Sequence, residues 1–258
     1  MWSSVKRVHE ASEMNASHRP SMEDEHRTID SFLPDDPQSA LFAVYDGHGG
    51  RGVVEFISTK LESNLKVELS AEHRGNRSVE ECITSAFLIT DIETSKQKLE
   101  SSGSTAVVCL LEHNMLYCAN AGDSRAVLGV RSTGQATRLS FDHKASEPTE
   151  AARIAKCGGF VRNGRVMGML TVSRSFGDHL MKHLITAVPF VSTTPVHTGD
   201  VIIIACDGMW DVFEDQEAVD FCARQKKMDG EVNLAQALID ECLKRRTTDN
   251  VSVIVVEV

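Results

Sequence analysis

The order of apolar and polar residues in the first part of the chain predicts a buried strand followed by two helices. Residues 41–45 form a continuous apolar run that is typical of a buried strand, and Asp46 follows its end. Residues 53–69 carry apolar side chains three and four positions apart, which is the spacing of one helix face. A second helix is predicted for residues 79–99, because Ser78 can cap its first turn.

The rest of the chain favours strands in runs, with helices in pairs between them. Short apolar runs separated by polar turns, which predict an antiparallel meander, are found at residues 106–111, 115–119 and 126–130. The later part predicts a helix, a strand, two helices and a strand, in that order, at residues 147–156, 201–205, 216–225, 232–244 and 251–258. This arrangement favours an α+β sandwich over a repeated βαβ unit.

Composition excludes several classes of protein. Of the 258 residues, 41% are apolar, which is enough for a sizeable core in one large domain or two small ones. No stretch approaches the roughly 20 apolar residues of a membrane span, and the first residues lack the apolar segment of a signal peptide. We therefore expect a cytoplasmic location, with the nucleus as an alternative. The formal charge of -10 argues against a general nucleic-acid binder, whose surface would be basic.

The seven cysteines are odd in number and include no C-x-x-C pair, so we expect reduced cysteines, most of them in the core. One alternative is a cysteine phosphatase, which needs a cysteine and an arginine at a fixed spacing on a phosphate-binding loop. Cys118 and Arg125 are one residue too far apart for that loop, and the intervening Asp123 would repel phosphate. A cysteine nucleophile is therefore not supported.

Aspartates at or beside the ends of apolar runs suggest a different chemistry. They stand in short turn-like segments at Asp24, Asp46, Asp207, Asp211 and Asp249. A buried or clustered carboxylate is unfavourable unless it is paired or binds a cation, so aspartates that meet at strand ends would need a metal ion. Oxygen ligands favour magnesium, manganese or calcium over zinc.

Residues 47–52 match the G-x-G-x-x-G fingerprint of dinucleotide-binding proteins, follow a predicted strand and precede a helix. A dinucleotide-binding fold would need a second parallel strand next, whereas residues 79–99 predict another helix. Asp46 would also face the pyrophosphate without compensation. A tight turn beside a metal ion explains the glycines better, because a backbone carbonyl can then join the metal ligands.

Several motifs, taken in order, resemble those of the metal-dependent protein phosphatases of the type 2C serine/threonine class. They are R-P-S-M-E-D at 19–24, V-Y-D-G-H-G-G at 44–50, S-G-S-T-A at 102–106, A-G-D-S-R at 121–125, D-H-K at 142–144, V-S-R-S-F-G-D at 172–178, A-C-D-G-M-W-D at 205–211 and T-D-N at 248–250. The resemblance covers about residues 15–258. It implies a four-layer α-β-β-α sandwich with two central antiparallel sheets, which residues 1–258 would form as a single catalytic domain.

The same resemblance implies a two-metal site at one end of the sandwich. Asp46 would bridge the two ions, and the Gly47 carbonyl would bind one of them. Asp207 and Asp249 would complete the protein ligands of the second ion. We expect magnesium or manganese in these positions.

Further acidic residues have implied roles at the edge of this site. Glu23 and Asp24 would act mostly through waters bound to the metals. Asp123 with Asp211 would form a weaker third metal site. Ordinary turn or helix-cap aspartates are the alternative for Asp123 and Asp211, because aspartate favours both settings.

Two residues are implied to act on the substrate itself. Arg19 would hold the phosphate, since its planar donor fork suits that anion. His48 would be the general acid for the departing alkoxide, a task for which imidazole chemistry near neutral pH is suited. The alternatives are a solvated charge for Arg19 and an ordinary surface histidine for His48.

The implied reaction transfers a phosphoryl group from phosphoserine or phosphothreonine directly to water. Two cations would lower the pKa of a bridging water that attacks phosphorus in line, without a phosphoenzyme. Phosphorylated proteins would be the partners of a monomeric enzyme. Residues 179–200 are short where this family often carries a longer flap beside the active site. The alternative function is a pseudophosphatase scaffold, whose signature would be a lost metal aspartate; none is lost here.

Overall fold

The computed structural model of the chain describes residues 2–97 and 102–258. The strands in these two ranges are β1 (Arg7–Glu13), β2 (Asp24–Asp30), β3 (Ala40–His48), β4 (Gly103–Ser104), β5 (Ala106–Glu112), β6 (Met115–Ala121), β7 (Arg125–Gly129), β8 (Ala136–Arg138), β9 (Val161–Arg162), β10 (Arg165–Val166), β11 (Phe176–Gly177), β12 (Phe190–Pro195), β13 (Val201–Ala205) and β14 (Val251–Glu257). The helices are α1 (Gly52–Leu69), α2 (Ala71–Arg74), α3 (Val79–Ser95), α4 (Pro148–Lys156), α5 (Asp207–Trp210), α6 (Asp215–Met228) and α7 (Leu234–Lys244), and a short 3-10 turn spans His179–Met181.

Two large antiparallel sheets form the centre of the fold. The first has the strand order β1-β14-β13-β7-β8. The second has the order β11-β4-β3-β5-β6-β12, and β2 pairs with β3 beside this path. A separate small hairpin is formed by β9 and β10.

Alternation along the strands assigns each side chain to one of two layers of core. In β3, Leu41 and Tyr45 pack with α1 and α3 on the outer face of the second sheet. Phe42 and Val44 point the other way, into the core between the two sheets. Because side chains alternate across a strand, one apolar run fills both layers, which explains why it is continuous.

The first sheet is built in the same way. Ile202 and Ile204 of β13 enter the core between the sheets. Ile203 and Ala205 pack on the outer face, against the cluster that contains residues of α5, α6 and α7. The four-layer α-β-β-α sandwich implied by the sequence motifs is therefore confirmed.

Most predicted elements are present with small shifts at their ends. The helix predicted for residues 53–69 is α1, and the helix predicted from residue 79 is α3. Ser78 caps α3 in a capping box with Glu81. The helix ends at Ser95, and the last predicted residue, Leu99, lies outside the described residues.

The predicted meander of three strands is wrong in its third strand. β5 and β6 form the expected antiparallel hairpin, but β7 pairs with β13 and β8 in the other sheet. All five residues of β7 are buried, so its apolar pattern fits either sheet. The turn before it begins at Gly122, whose positive φ of 112° carries the chain from one sheet to the other.

Three further sequence predictions can be compared with the fold. Among the described strands β3 has only antiparallel partners, as expected for a chain without a dinucleotide-binding fold. All seven cysteines are free, and all except Cys157 are buried, as predicted for most of them. In the two described ranges, no helix combines the length and apolar character needed to cross a membrane.

Candidate metal centre

Strand ends from both sheets meet at one end of the sandwich and bring the predicted aspartates together. Asp46 lies near the end of β3, and Asp24 begins β2 directly opposite it. Asp207 follows β13, and Asp249 precedes β14, the antiparallel neighbour of β13. The end of one strand and the start of the next therefore lie side by side, although Asp207 and Asp249 are far apart in sequence.

A cavity of about 360 Å³ opens between these strand ends. The predicted site residues that line it are Arg19, Glu23, Asp46, Gly47, His48, Asp123, Asp207 and Asp249. Two predicted residues do not line it: Asp24 is buried beside Asp46, and Asp211 is exposed.

Three carboxylates come closest together in this cavity. Oxygens of Asp46, Asp123 and Asp207 all lie within 4.8 Å of one another. Burial raises the pKa of Asp46 well above its usual value, and the charge of Asp207 adds to the effect. Burial raises the pKa of Asp123 to about 7, with a further contribution from Asp207. Burial raises the pKa of Asp207 to about 6, helped by the charges of Asp249 and Asp211.

Asp24 adds a fourth carboxylate with little room to relax. It is 4% exposed and stands directly across the β2–β3 ladder from Asp46, an arrangement that is unfavourable for like charges. Among the described residues, its Oδ2 has no hydrogen-bond partner. Burial raises its pKa to about 7, and the nearby charges of Asp207 and Asp249 contribute.

These observations fit a divalent cation bound by oxygen ligands. Buried carboxylates this close together repel one another, and a bound cation would offset their charge. The donor set contains only oxygens, which suits hard cations such as magnesium and manganese. Of the described residues, Asp46, Asp123 and Asp207 form the group that meets the distance required for sharing one ion.

The raised pKa values predict how the metal-free protein responds to pH. The folded chain holds protons on Asp24 and Asp123 up to about pH 7, and on Asp207 up to about pH 6, whereas unfolded aspartate releases its proton near pH 4. The folded state therefore binds more protons across this window, and the free energy of unfolding should fall as pH rises from about 4 to about 7. The Tm in chelator at pH 5 and at pH 8 checks this.

The variant Asp207→Asn tests the cause of this pH dependence, because it keeps the shape of the side chain and removes one of the crowded charges. We expect the variant to be more stable than the metal-free parent at pH 8 and close to it at pH 5. Manganese should raise the Tm of the parent at pH 8 much more than that of the variant. A parent and a variant with the same Tm at pH 8 in chelator would show that the carboxylates do not repel one another.

Backbone packing around Gly47 brings the Glu23 segment against the metal centre. Gly47 N donates to Glu23 O at 3.2 Å, and a Cβ at Gly47 would collide with that same oxygen. Gly50, with a φ of 111°, directs its N–H toward Glu23 Oε2 at 3.4 Å. The glycine turn therefore admits the Glu23 segment beside the aspartate cluster.

Asn250 is a structural residue of the site to which the sequence assigned no role. Its Oδ1 accepts from Glu23 N at 2.9 Å, and its Nδ2 donates to Met14 O at 2.7 Å and to Ser21 O at 3.1 Å. Its carbonyl lies so close to Gly208 that a Cβ there would collide with it. Asn250 thus joins the Glu23 segment to the strand ends that carry the aspartates, and its place in the T-D-N motif was the available signal.

Asp249 and Asp211 are each paired with a cation from the chain itself. Asp249 accepts a hydrogen bond from Arg19 Nη2, and Arg19 is exposed at the cavity mouth. Asp211 accepts from Lys144 Nζ at 3.0 Å. The ammonium charge of Lys144 also interacts with Asp123. Lys144 therefore supplies positive charge where the sequence motifs imply a weaker third metal site.

His48 is joined to a carboxylate that the sequence did not single out. Its Nε2 lies 2.9 Å from Asp178 Oδ2 and 3.1 Å from Oδ1. Asp178 is 6% exposed, and burial alone would raise its pKa. Hydrogen bonds from His48 and Ser175 outweigh burial and lower the pKa below its usual value, so the carboxylate is ionised.

Part of the cavity wall comes from a segment outside residues 179–200. Arg165 of β10 and residues 170–172 line the cavity. Among the described residues that line it, none belongs to 179–200. The shortness of 179–200 therefore leaves this wall intact, and the β9–β10 hairpin is the nearer neighbour of the cavity.

Comparison with known proteins gives a consistent picture. The chain matches the family model described as Protein phosphatase 2C over residues 8–251. It is 42% identical over 242 residues to a probable protein phosphatase 2C of Caenorhabditis elegans. The match covers 87% of this chain and 65% of the worm relative. It is 34% identical over 268 residues to Protein phosphatase 2C homolog 1 of Saccharomyces cerevisiae. That match covers 97% of this chain and 92% of the yeast relative. The chain thus spans 65% of the length of the worm relative.

Solved structures show the same fold. Serine-threonine phosphatase 2C from Toxoplasma gondii superposes with a TM-score of 0.82 at 23% identity, covering 97% of this chain and 94% of that one. A Caenorhabditis elegans sex determining protein superposes with a TM-score of 0.85 at 23% identity. The superposition covers 99% of this chain and 65% of that protein. At this level of identity the likeness concerns the fold alone.

Proposed function

The chain belongs to the protein phosphatase 2C family, and from that premise we propose that it hydrolyses phosphoserine and phosphothreonine in proteins with the help of bound divalent cations. The observation that carries the proposal is the cluster of Asp46, Asp123 and Asp207 at the base of a cavity lined by Arg19 and His48. Residues 1–258 would form one catalytic domain. The substrates would be phosphorylated proteins, with no role for nucleic acid, and the enzyme would act as a monomer.

The proposed metal ligands are the oxygens that the fold gathers at the strand ends. Asp46 and the Gly47 carbonyl, with Asp207 and Asp249, would hold two magnesium or manganese ions. When bound, the cations would supply a water of lowered pKa as the nucleophile and would offset the negative charge of the phosphate. Support comes from the raised pKa values of Asp46 and Asp207, which reflect burial first and the charges of the neighbouring aspartates second.

The remaining acidic residues are proposed to act around these ligands. Glu23 and Asp24 would hold ordered water beside the ions, which is consistent with the unpartnered Oδ2 of Asp24. Asp123 and Asp211 would form the weaker third site. Lys144 would compete with a cation there, because it already pairs with Asp211.

Arg19 is proposed to bind the phosphate at the mouth of the cavity. It is exposed, and its guanidinium contacts Asp249 Oδ2 and Thr248 O. A phosphate entering beside Asp249 would meet the planar donor fork of Arg19 directly. The guanidinium would orient the phosphate and meet the charge on its equatorial oxygens during transfer.

His48 is proposed to protonate the serine or threonine oxygen as it leaves. The side chain lines the cavity and is 28% exposed, so a substrate can reach it. An alkoxide is a poor leaving group, and a proton donated in the transition state lowers the barrier to its departure. No covalent enzyme intermediate is required, because water is the acceptor of the phosphoryl group.

The alternative function is a pseudophosphatase that binds phosphoproteins without hydrolysing them. No observation favours it, since all the proposed ligand positions carry oxygen donors. The two functions are separated by counting phosphate released per chain from a phosphothreonine peptide with manganese or magnesium. We expect many turnovers per chain; peptide binding with less than one phosphate released per chain would favour the scaffold.

A further inference from the structure

The contact between His48 and Asp178 involves one of the two ring nitrogens of the histidine. Nε2 lies within hydrogen-bond distance of both carboxylate oxygens of Asp178. Among the described residues, Nδ1 has no hydrogen-bond partner, and the ring borders the cavity that contains the carboxylate cluster. An ionised carboxylate can only accept, so the Nε2–H must donate to it, and Nδ1 is the nitrogen left for a substrate.

Asp178 is held in a backbone conformation that few residues adopt. Its φ of 50° and ψ of 38° lie in the left-handed region, where aspartate and asparagine are among the tolerated residues. Its N–H donates to Ser102 O at 3.0 Å, and Ser175 Oγ donates to its Oδ2 at 2.5 Å. The preceding residue is fixed as well, because Gly177 N donates to Asp91 Oδ1 at 2.9 Å. The surrounding loop therefore determines where the carboxylate points, as expected for strain kept at a functional site.

Gly103 makes room for this contact. A Cβ at Gly103 would collide with both Asp178 Oδ2 and His48 Nε2. The pair therefore packs against a backbone segment on which only glycine fits. Three separate parts of the chain, at the end of β3, in β4 and after β11, meet at this point.

We propose that Asp178 is a positioning residue that fixes the ring of His48 with Nε2–H bonded to its carboxylate and Nδ1 facing the leaving oxygen of the substrate. The inference rests on the proposed function of His48 as the general acid. The protonated ring gives its Nδ1 proton to the departing alkoxide as the P–O bond breaks. The ring then becomes neutral and keeps the proton on Nε2, in its bond to Asp178.

The isosteric change Asp178→Asn tests the proposal. Asparagine tolerates the same backbone conformation, but its amide can donate to Nε2 and so hold the ring with the wrong nitrogen protonated. We expect kcat for a phosphothreonine peptide to fall roughly 10- to 100-fold, the range for loss of a histidine-orienting partner. Hydrolysis of 4-nitrophenyl phosphate, whose leaving group needs little protonation, should change by less than about threefold.

A comparison with His48→Gln separates positioning from a structural role. If Asp178 acts through His48, the double variant should be no slower on the peptide than His48→Gln alone. Equal losses of Asp178→Asn on both substrates, or additive losses in the double variant, would overturn the inference. If His48→Gln itself slowed both substrates equally, the general-acid function would fail, and the inference with it. If His48→Gln slowed only the peptide while Asp178→Asn slowed both substrates equally, the inference about Asp178 would be overturned and the general-acid function of His48 would stand.

Two further variants keep the test independent of folding. Asp200→Asn is the matched control, because Asp200 is 3% exposed and lies before β13, at the end opposite Asp207. It should leave the ratio of the two substrate rates unchanged. Ser175→Ala removes a donor to Asp178 without touching His48, and it should shift that ratio in the same direction as Asp178→Asn, by a smaller factor.

Ring-nitrogen NMR supplies a readout that does not depend on activity. In 15N-histidine-labelled protein, the His48 signal is assigned by its absence in His48→Gln. The neutral ring should carry its proton on Nε2 in the parent and lose that preference in Asp178→Asn. A neutral His48 in the parent with its proton on Nδ1 would overturn the inference.

Discussion

Asp46→Asn is expected to lower the turnover of a phosphothreonine peptide by about 1,000-fold or more at saturating manganese, because several kcal/mol of charge stabilisation would be lost at once. Asp46 is a buried carboxylate on which the charges of four other aspartates act. The aspartates whose charges act on it are Asp24, Asp123, Asp207 and Asp249. Initial rates of phosphate release over a manganese titration measure the effect, and circular dichroism reports whether the fold is kept.

Asp200→Asn provides the control for a buried aspartate outside the site. Its carboxylate accepts from Arg131 N and His197 N, both at 2.9 Å, at the end of β13 away from the cluster. The control should keep near-normal turnover. Near-normal turnover of Asp46→Asn at saturating manganese would contradict the assignment of Asp46 as a metal ligand, whatever the result for the control.

His48→Gln is expected to slow hydrolysis of a phosphothreonine peptide by roughly 100- to 10,000-fold, the range for general acid catalysis. The serine or threonine alkoxide is a poor leaving group and needs a proton as it departs. The loss on an aryl phosphate should be far smaller, since phenolate leaves without one. Parallel kinetics on the two substrates, each over a manganese titration, measure the difference.

The manganese titration distinguishes acid catalysis from metal binding. Metal affinity should be nearly unchanged in His48→Gln, because the aspartates and the Gly47 carbonyl remain. Equal losses on both substrates, or losses rescued by excess manganese, would mean that His48 organises the metal centre and is not the proton donor.

Much of the fold follows from periodicity, and the exceptions have physical causes. The runs that became β3, β13 and β14 were recognisable because both of their faces are buried, so their residues are continuously apolar. The strands β1 and β2 were not predicted, since their sequences, R-V-H-E-A-S-E and D-E-H-R-T-I-D, are largely polar. Among the described strands each has a single partner, β14 for β1 and β3 for β2, and most of their side chains are only partly buried, so charged groups can still reach solvent.

Sheet membership is harder to infer than strand identity. β7 was placed beside β6 because a short turn separates them, and short turns usually join neighbours. In this fold the turn crosses between sheets, and every residue of β7 is buried. A strand covered on both faces carries no polar side that would reveal which sheet it enters.

The site residues whose chemistry is carried by a sequence motif could be predicted. Those that act through contacts between distant parts of the chain were harder to find. The aspartates at the strand ends could be found because a charged residue after a buried strand is unusual. Asp178 was quoted only as the end of a motif, and its contact with His48 joins residues 130 positions apart. Asn250 likewise acts through hydrogen bonds to distant backbone atoms, and the T-D-N motif marks the residue without revealing these partners.

Activity that depends on a divalent cation distinguishes a metal-dependent protein phosphatase from other proteins, and it can be measured on the metal-depleted chain. Phosphate release from a phosphothreonine peptide is followed after exhaustive chelation, and again after manganese or magnesium is restored. We expect no turnover in the depleted protein and many turnovers per chain after either ion is added. Full activity of the depleted protein, or no turnover with saturating metal and a folded chain, would contradict this expectation.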